Sequence, residues 1–114
     1  MFAISPATRV FLLAGATDMR RGFNGLYSLA AHRIKEDPRS GHLFVFCNRQ
    51  RNRLKILWWD GSGLWVCAKR LERGRFSWPE DNQSPVVFNG GELTLLLNGI
   101  ELKDTKKKRW YRIE

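Results

Sequence analysis

The chain has 114 residues, with 20 Lys and Arg against 11 Asp and Glu and a formal charge of +9. Hydrophobic residues make up 43% and aromatic ones 12%, which excludes global disorder and allows one domain with its own core. The cation excess favours an anionic partner such as nucleic acid, and no apolar run approaches the length of a membrane span.

In chain order, residues 9–14 (Arg9 to Ala14) form a predicted first strand that ends at Gly15. Val10 to Ala16 behind Arg9 has the outline of a signal peptide, but its apolar part is at the short limit for one and a strand accounts for it better. Thr17 or Asp18 is then expected to cap a helix that begins ahead of Arg20 and Arg21. Phe23, Leu26, Tyr27, Ala30 and Ile34 follow at helical spacing and give one apolar stripe to pack on a sheet. Gly22 and Gly25 weaken that helix by about 1 kcal/mol each relative to Ala, so a close approach to a strand or a ligand is expected there. Asp37-Pro38 breaks the helix, and Arg39-Ser40-Gly41 turns the chain.

From His42 to Pro79 lie four of the five Trp and both Cys. Leu43 to Cys47, Leu54 to Trp59 and Leu64 to Ala68 are runs of branched and aromatic residues between polar breaks, the pattern of a strand meander. Asp60-Gly61-Ser62-Gly63 closes the second and third runs into a hairpin, while Asn48 to Asn52 is a longer polar connection. Arg49, Arg51, Arg53 and Lys55 fall two apart, so an extended chain would send them from one face. Lys69, Arg70, Arg73 and Arg75 follow, with Asp60 and Glu72 the acidic residues between 49 and 75. Such a face is either solvated or matched to an anion, and a phosphate-contact surface is the sharper reading because Trp58, Trp59, Trp65 and Trp78 are interleaved with it. In a chain this small those indoles are more readily core than stacking platform. Cys47 and Cys67 lack CxxC spacing and read as small buried residues of a reduced, cytoplasmic compartment, with a disulfide between them the alternative.

Beyond the meander, Phe76 to Pro79 reads as a short extended piece and Pro79 to Pro85 as a polar loop. Asn89-Gly90-Gly91-Glu92 has capping-box spacing and opens a short helix with Leu93, Leu96 and Leu97 on its apolar face and a Gly99-Ile100 end. Residues 1–102 are thus one α+β domain: an antiparallel, curved meander of four or five strands, one longer helix packed on it and one short C-terminal helix. Residues 103–114 form a basic tail, where Lys106, Lys107, Lys108 and Arg109 precede the Trp110-Tyr111 pair.

No catalytic constellation emerges. Asp18, Asp60 and Glu92 each have a local task as cap, turn residue and capping-box acid, so no metal site is expected; His32 and His42 have no partner at ligand spacing, and neither Ser nor Cys stands beside a base. Arg20 and Arg21 at a capped helix start would suit a phosphate, or be solvated. The expectation is a protein that is not an enzyme and needs no cofactor.

Four blocks then carry a resemblance. Ala16 to Phe23 (ATDMRRGF), Ser40 to Phe46 (SGHLFVF), Leu54 to Gly61 (LKILWWDG) and Lys69 to Pro79 (KRLERGRFSWP) resemble the small accessory protein encoded by the second reading frame of the insertion sequence 66 family. The resemblance spans residues 8 to about 100 and implies a mobile-element protein that supports transposition and DNA recombination beside a separate transposase and a companion small protein. It supplies no catalytic residues to carry over. Two expectations follow: a DNA-binding accessory protein using Arg20, Arg21, the cations from Arg49 to Arg75 and the tail, or an adaptor docking on the transposase or companion without touching DNA.

Overall fold

Five consecutive apolar residues, Leu43-Phe44-Val45-Phe46-Cys47, cannot alternate between core and water, so the strand they form has to be covered on both faces. The computed structural model, which describes residues 4–80 and 85–99, puts this strand at the centre of a five-stranded sheet, with all five residues buried. In chain order the strands are β1 (Val10–Leu12), β2 (Leu43–Cys47), β3 (Arg53–Trp59), β4 (Leu64–Arg70) and β5 (Val86–Phe88), arranged β4-β3-β2-β1-β5.

β2, β3 and β4 form the expected antiparallel meander, with Val45 opposite Ile56 and Ile56 opposite Cys67. β1 departs from that pattern by pairing parallel with β2, Phe11 opposite Phe44. The sheet is therefore mixed, because the helical crossover between β1 and β2 is long enough to carry the chain back to the starting end of the sheet. β5 runs antiparallel to β1, a three-residue strand too short for alternation to mark in the sequence. Phe76 to Pro79 is buried but joins no ladder; it is anchored where Trp78 Nε1 donates to the Leu13 carbonyl at 3.0 Å and Gly15 N–H to the Pro79 carbonyl at 3.0 Å.

The crossover helix begins later than expected. α1 (Phe23–Leu29) has Gly22 as its N-cap with no side-chain cap, and continues through a π-helical turn, Ala30–Ile34, that Lys35 closes in a left-handed conformation. Neither expected cap serves: Thr17 N–H donates to the Cys47 carbonyl at 2.7 Å, and the Asp18 carboxylate accepts from the N–H and guanidinium of Arg20. Leu26, Ala30 and Ile34 nonetheless bury as a stripe against Phe11, Phe44, Phe46 and Leu57 on one face of the sheet. On the other face, α2 (Gly90–Leu97) sets Leu93 and Leu96 against Val10, Leu12, Val45 and Ile56, joined by Phe76 and Trp78. The capping box forms as expected, the Asn89 side chain accepting from Glu92 N–H and the Glu92 carboxylate from Asn89 N–H, each at 2.8 Å.

Candidate nucleic-acid interface

One end of the sheet gathers the cations, and it does so through loops instead of the expected strand face. Asn48 winds the β2–β3 connection tightly: its Oδ1 accepts from the N–H groups of Asn52 and Arg53, and its Nδ2 donates to Asn52 Oδ1 at 2.8 Å. Arg51 is thereby held at φ 63°, and the ladder begins only at Arg53. Arg49 and Arg51 consequently do not share a strand face with Arg53 and Lys55. The side-chain bonds of Asn48 outweigh extension here, a competition that charge spacing does not encode.

The loop leaving β4 is stitched to this connection. Leu71 N–H donates to the Asn52 carbonyl at 2.8 Å and Phe76 N–H to the Arg51 carbonyl at 2.7 Å, while Gly74 supplies the positive φ, 75°, that the turn between them needs. Arg49 and Arg51 on one loop and Arg73 and Arg75 on the other are thus brought to the same end, beyond Arg53 and Arg70. Arg49, Arg73 and Arg75 are exposed there.

Arg53 and Arg70 are direct cross-strand partners. Their pairing class follows from the bonds that flank the ladder: Asp60 N–H donates to Gly63 O and Leu71 N–H to Asn52 O, so bonded pairs fall on even residues of β3 and odd residues of β4. Arg53 and Arg70 therefore form a non-hydrogen-bonded pair, in which side chains approach most closely and like charges are unfavourable. Beside them opens a cleft of about 340 Å³ lined by Met19, Arg53, Leu54, Lys55, Ala68, Lys69 and Arg70, without an acidic side chain in its wall.

Two ammonium groups are fixed by carbonyls at this end. Lys55 Nζ donates to the Arg21 carbonyl at 2.9 Å and Lys69 Nζ to the Leu97 carbonyl at 2.8 Å, each leaving further N–H groups to offer. The first of these bonds ties the loop before α1 to β3 and brings Met19, which sequence spacing gave no reason to single out, into the cleft wall. Arg20 and Arg21 lie in that loop, not on a capped helix start. The Asp18 carboxyl, 2.7 Å from the Arg20 guanidinium, is held at about 2, well below its ordinary value, mainly by its side-chain hydrogen bond to Arg20. Arg51 reaches Glu80 at 3.4 Å and Arg70 reaches Glu72 at 3.1 Å, both solvent-facing contacts of small energetic weight. Lys106, Lys107, Lys108 and Arg109 lie outside the described residues.

The indoles divide. Trp58 and Trp78 are core, Trp59 is half-buried with the Arg39 guanidinium 5.2 Å from its ring, and Trp65 is 45% exposed. Trp65 is nevertheless oriented, because its Nε1 donates to Asp60 Oδ2 at 2.8 Å. The same carboxylate accepts from the N–H groups of Ser62 and Gly63, as the hairpin reading required, and these bonds hold its pKa near 2. Burial pushes the Cys47 thiol up to about 12, and neither cysteine forms a disulfide. Among the described residues, no three His, Cys, Asp or Glu side chains gather as metal ligands, and no helix is long and apolar enough to cross a membrane.

Comparison with known sequences fits these blocks into a family. The sequence model for the IS66 Orf2 like protein family matches residues 8–107. The chain belongs to this family. As an IS66 Orf2-like protein it has an accessory role in the transposition of an insertion sequence, in a family not known to be catalytic. Two relatives from Sinorhizobium fredii are uncharacterized: y4hO is 41% identical over 93 residues, covering 82% of this chain and 81% of its own, and y4jC is 33% identical over 108 residues, covering 95% and 92%. No solved structure matches this IS66 Orf2-like chain.

Proposed function

We propose that this IS66 Orf2-like protein is a non-catalytic DNA-binding component of transposition that grips the phosphate backbone with the cationic end of its sheet. The observation that carries this reading is the in-register Arg53 and Arg70 pair, on the same sheet face as Lys55, beside a cleft lined by all three and by no acidic residue. Like charges at opposite positions are unfavourable in the free protein; Glu72 at 3.1 Å offsets Arg70 only in part at this exposed site, and an anion between the two arginines relieves the remainder. The two loops add Arg49, Arg51, Arg73 and Arg75 around the cleft, giving a surface that follows a charged backbone without reading bases. Arg20 and Arg21 extend the same surface in this proposal, and Lys106 to Arg109 add further cations to the chain for phosphate contact.

Binding of the nuclease-treated protein to double- and single-stranded DNA across a salt series tests it. Affinity should fall steeply as salt rises, with about 0.9 of logarithmic slope for each duplex phosphate contacted. Salt-independent binding, or none near physiological salt, would remove the phosphate reading. An adaptor docking on the transposase or the companion small protein is the second reading, favoured by the exposure of Phe23 and Trp65, 52% and 45%. Its mark is association with either protein that survives nuclease digestion.

A further inference from the structure

β4 is an edge strand whose seven residues pair with β3 in unbroken register, with no Pro and no bulge, whereas the opposite edge, β5, offers three residues. Long edges without Pro or bulge are templates for another strand, and the charges of this one, Lys69 and Arg70, are confined to its last two residues. The bonding phase derived above fixes what this edge presents. Trp65, Cys67 and Lys69 direct their N–H and C=O groups at β3, so those of Leu64, Val66, Ala68 and Arg70 point outward.

We propose that a second copy of this chain adds across this edge, β4 against β4, antiparallel about a two-fold axis at Cys67. An axis there pairs all seven residues: Leu64 with Arg70, Trp65 with Lys69, Val66 with Ala68, and Cys67 with itself. Every outward N–H meets an outward carbonyl, because Val66 with Ala68 and Leu64 with Arg70 become the hydrogen-bonded pairs. Strand length selects the same axis, since one at Val66 or Ala68 pairs five of the seven residues, and charge excludes others. Shifting it to Lys69 sets lysine against lysine, and shifting it to Trp65 runs the pairing into the hairpin turn, whereas at Cys67 no cation faces a cation. The indole of Trp65, exposed at 45% on this edge, gains the stem of Lys69 from the second copy as cover. Self-complementarity of this kind is what a two-fold interface requires of one surface. The result is one continuous ten-stranded sheet with two cationic ends, their Arg70 positions offset by about 20 Å along the strands at roughly 3.4 Å per residue.

Hydrogen exchange read by NMR on the unmodified full chain tests the arrangement without a variant. On raising protein concentration, the N–H groups of Val66, Ala68 and Arg70 should gain at least tenfold protection, with those of Trp65 and Cys67 protected throughout, and sedimentation should move to twice the chain mass. A short thiol crosslinker should join two chains through Cys67, since the Cys47 thiol is buried, and Cys67→Ser should abolish the crosslink while leaving the sedimentation unchanged. Ala68→Pro, which removes an outward N–H, should give a folded monomer. A chain that sediments as a monomer at tens of micromolar, or a dimer in which Val66 and Ala68 N–H groups exchange freely, overturns the proposal.

Discussion

The Arg53 and Arg70 pair yields a prediction with opposite signs in two assays. Replacing Arg53 by Gln removes one of two like charges that face each other in a non-hydrogen-bonded pair, where repulsion is worth about 0.2–1 kcal/mol. That guanidinium makes no hydrogen bond or ion pair among the described residues, so stability should rise by that amount. At a urea slope of roughly 1.5 kcal/mol/M, the unfolding midpoint moves up by about 0.1–0.7 M. DNA affinity should fall at the same time, and the logarithmic salt slope should flatten by about 0.9 because one phosphate fewer is neutralised. Over a fourfold rise in salt, the variant's affinity then drops about 3.5-fold less than that of the parent, a difference that fluorescence anisotropy titrations resolve. If the midpoint falls instead, the arginines are held by a favourable interaction and the strained-pair argument is wrong. If it rises with the salt slope unchanged, phosphates are bound elsewhere.

Three other outcomes are expected. Asn89→Ala removes the capping-box acceptor of α2 and should cost about 1 kcal/mol in urea denaturation. Thr17 Oγ1 is buried without a hydrogen-bond partner among the described residues, so Thr17→Val should hold or raise stability, by up to about 1 kcal/mol, where a hydrogen-bonded hydroxyl would make it fall. The pKa of Asp60 is depressed from 3.8 to about 2 in the folded chain, so its contribution to stability is complete above pH 4 and is lost as pH falls through about 2. The Trp65 indole N–H resonance should accordingly hold its shift from pH 7 to 4 and move between pH 3 and 2, and Asp60→Asn should abolish that step.

What the sequence disclosed and what it hid differ by range of interaction. The meander was legible because Leu43 to Cys47 and Leu54 to Trp59 carry their burial in their own side chains, and Asp60 and Asn89 act on residues two or three positions away. The parallel pairing of β1 depends on where a long crossover lands, which no local pattern records. The helix start eludes a local reading because Thr17 and Asp18 are good caps in isolation, yet the Thr17 backbone N–H is drawn to the Cys47 carbonyl thirty residues on, which buries its hydroxyl away from any helix start, and the Asp18 carboxylate is taken by Arg20. At the candidate interface the cations are arranged otherwise than their spacing suggested: Asn48 converts what looked like a continuous strand into a loop, and two backbone bonds from Leu71 and Phe76 bring the two loops together.

The place of β1 between β2 and β5 governs the order in which a nascent chain is completed. β1 leaves the ribosome ahead of both its neighbours, one of which arrives about thirty residues later and the other not until residues 86–88. The local hairpins β2–β3 and β3–β4 close small loops and form early, whereas seating β5 closes a loop of more than seventy residues. Until then the growing chain displays Val10, Phe11 and Leu12 along an open margin, beside an apolar face that α2 has yet to cover. Premature termination between Arg70 and Val86 would therefore leave a sticky four-stranded sheet instead of a shorter working protein, a fragment for proteases to clear.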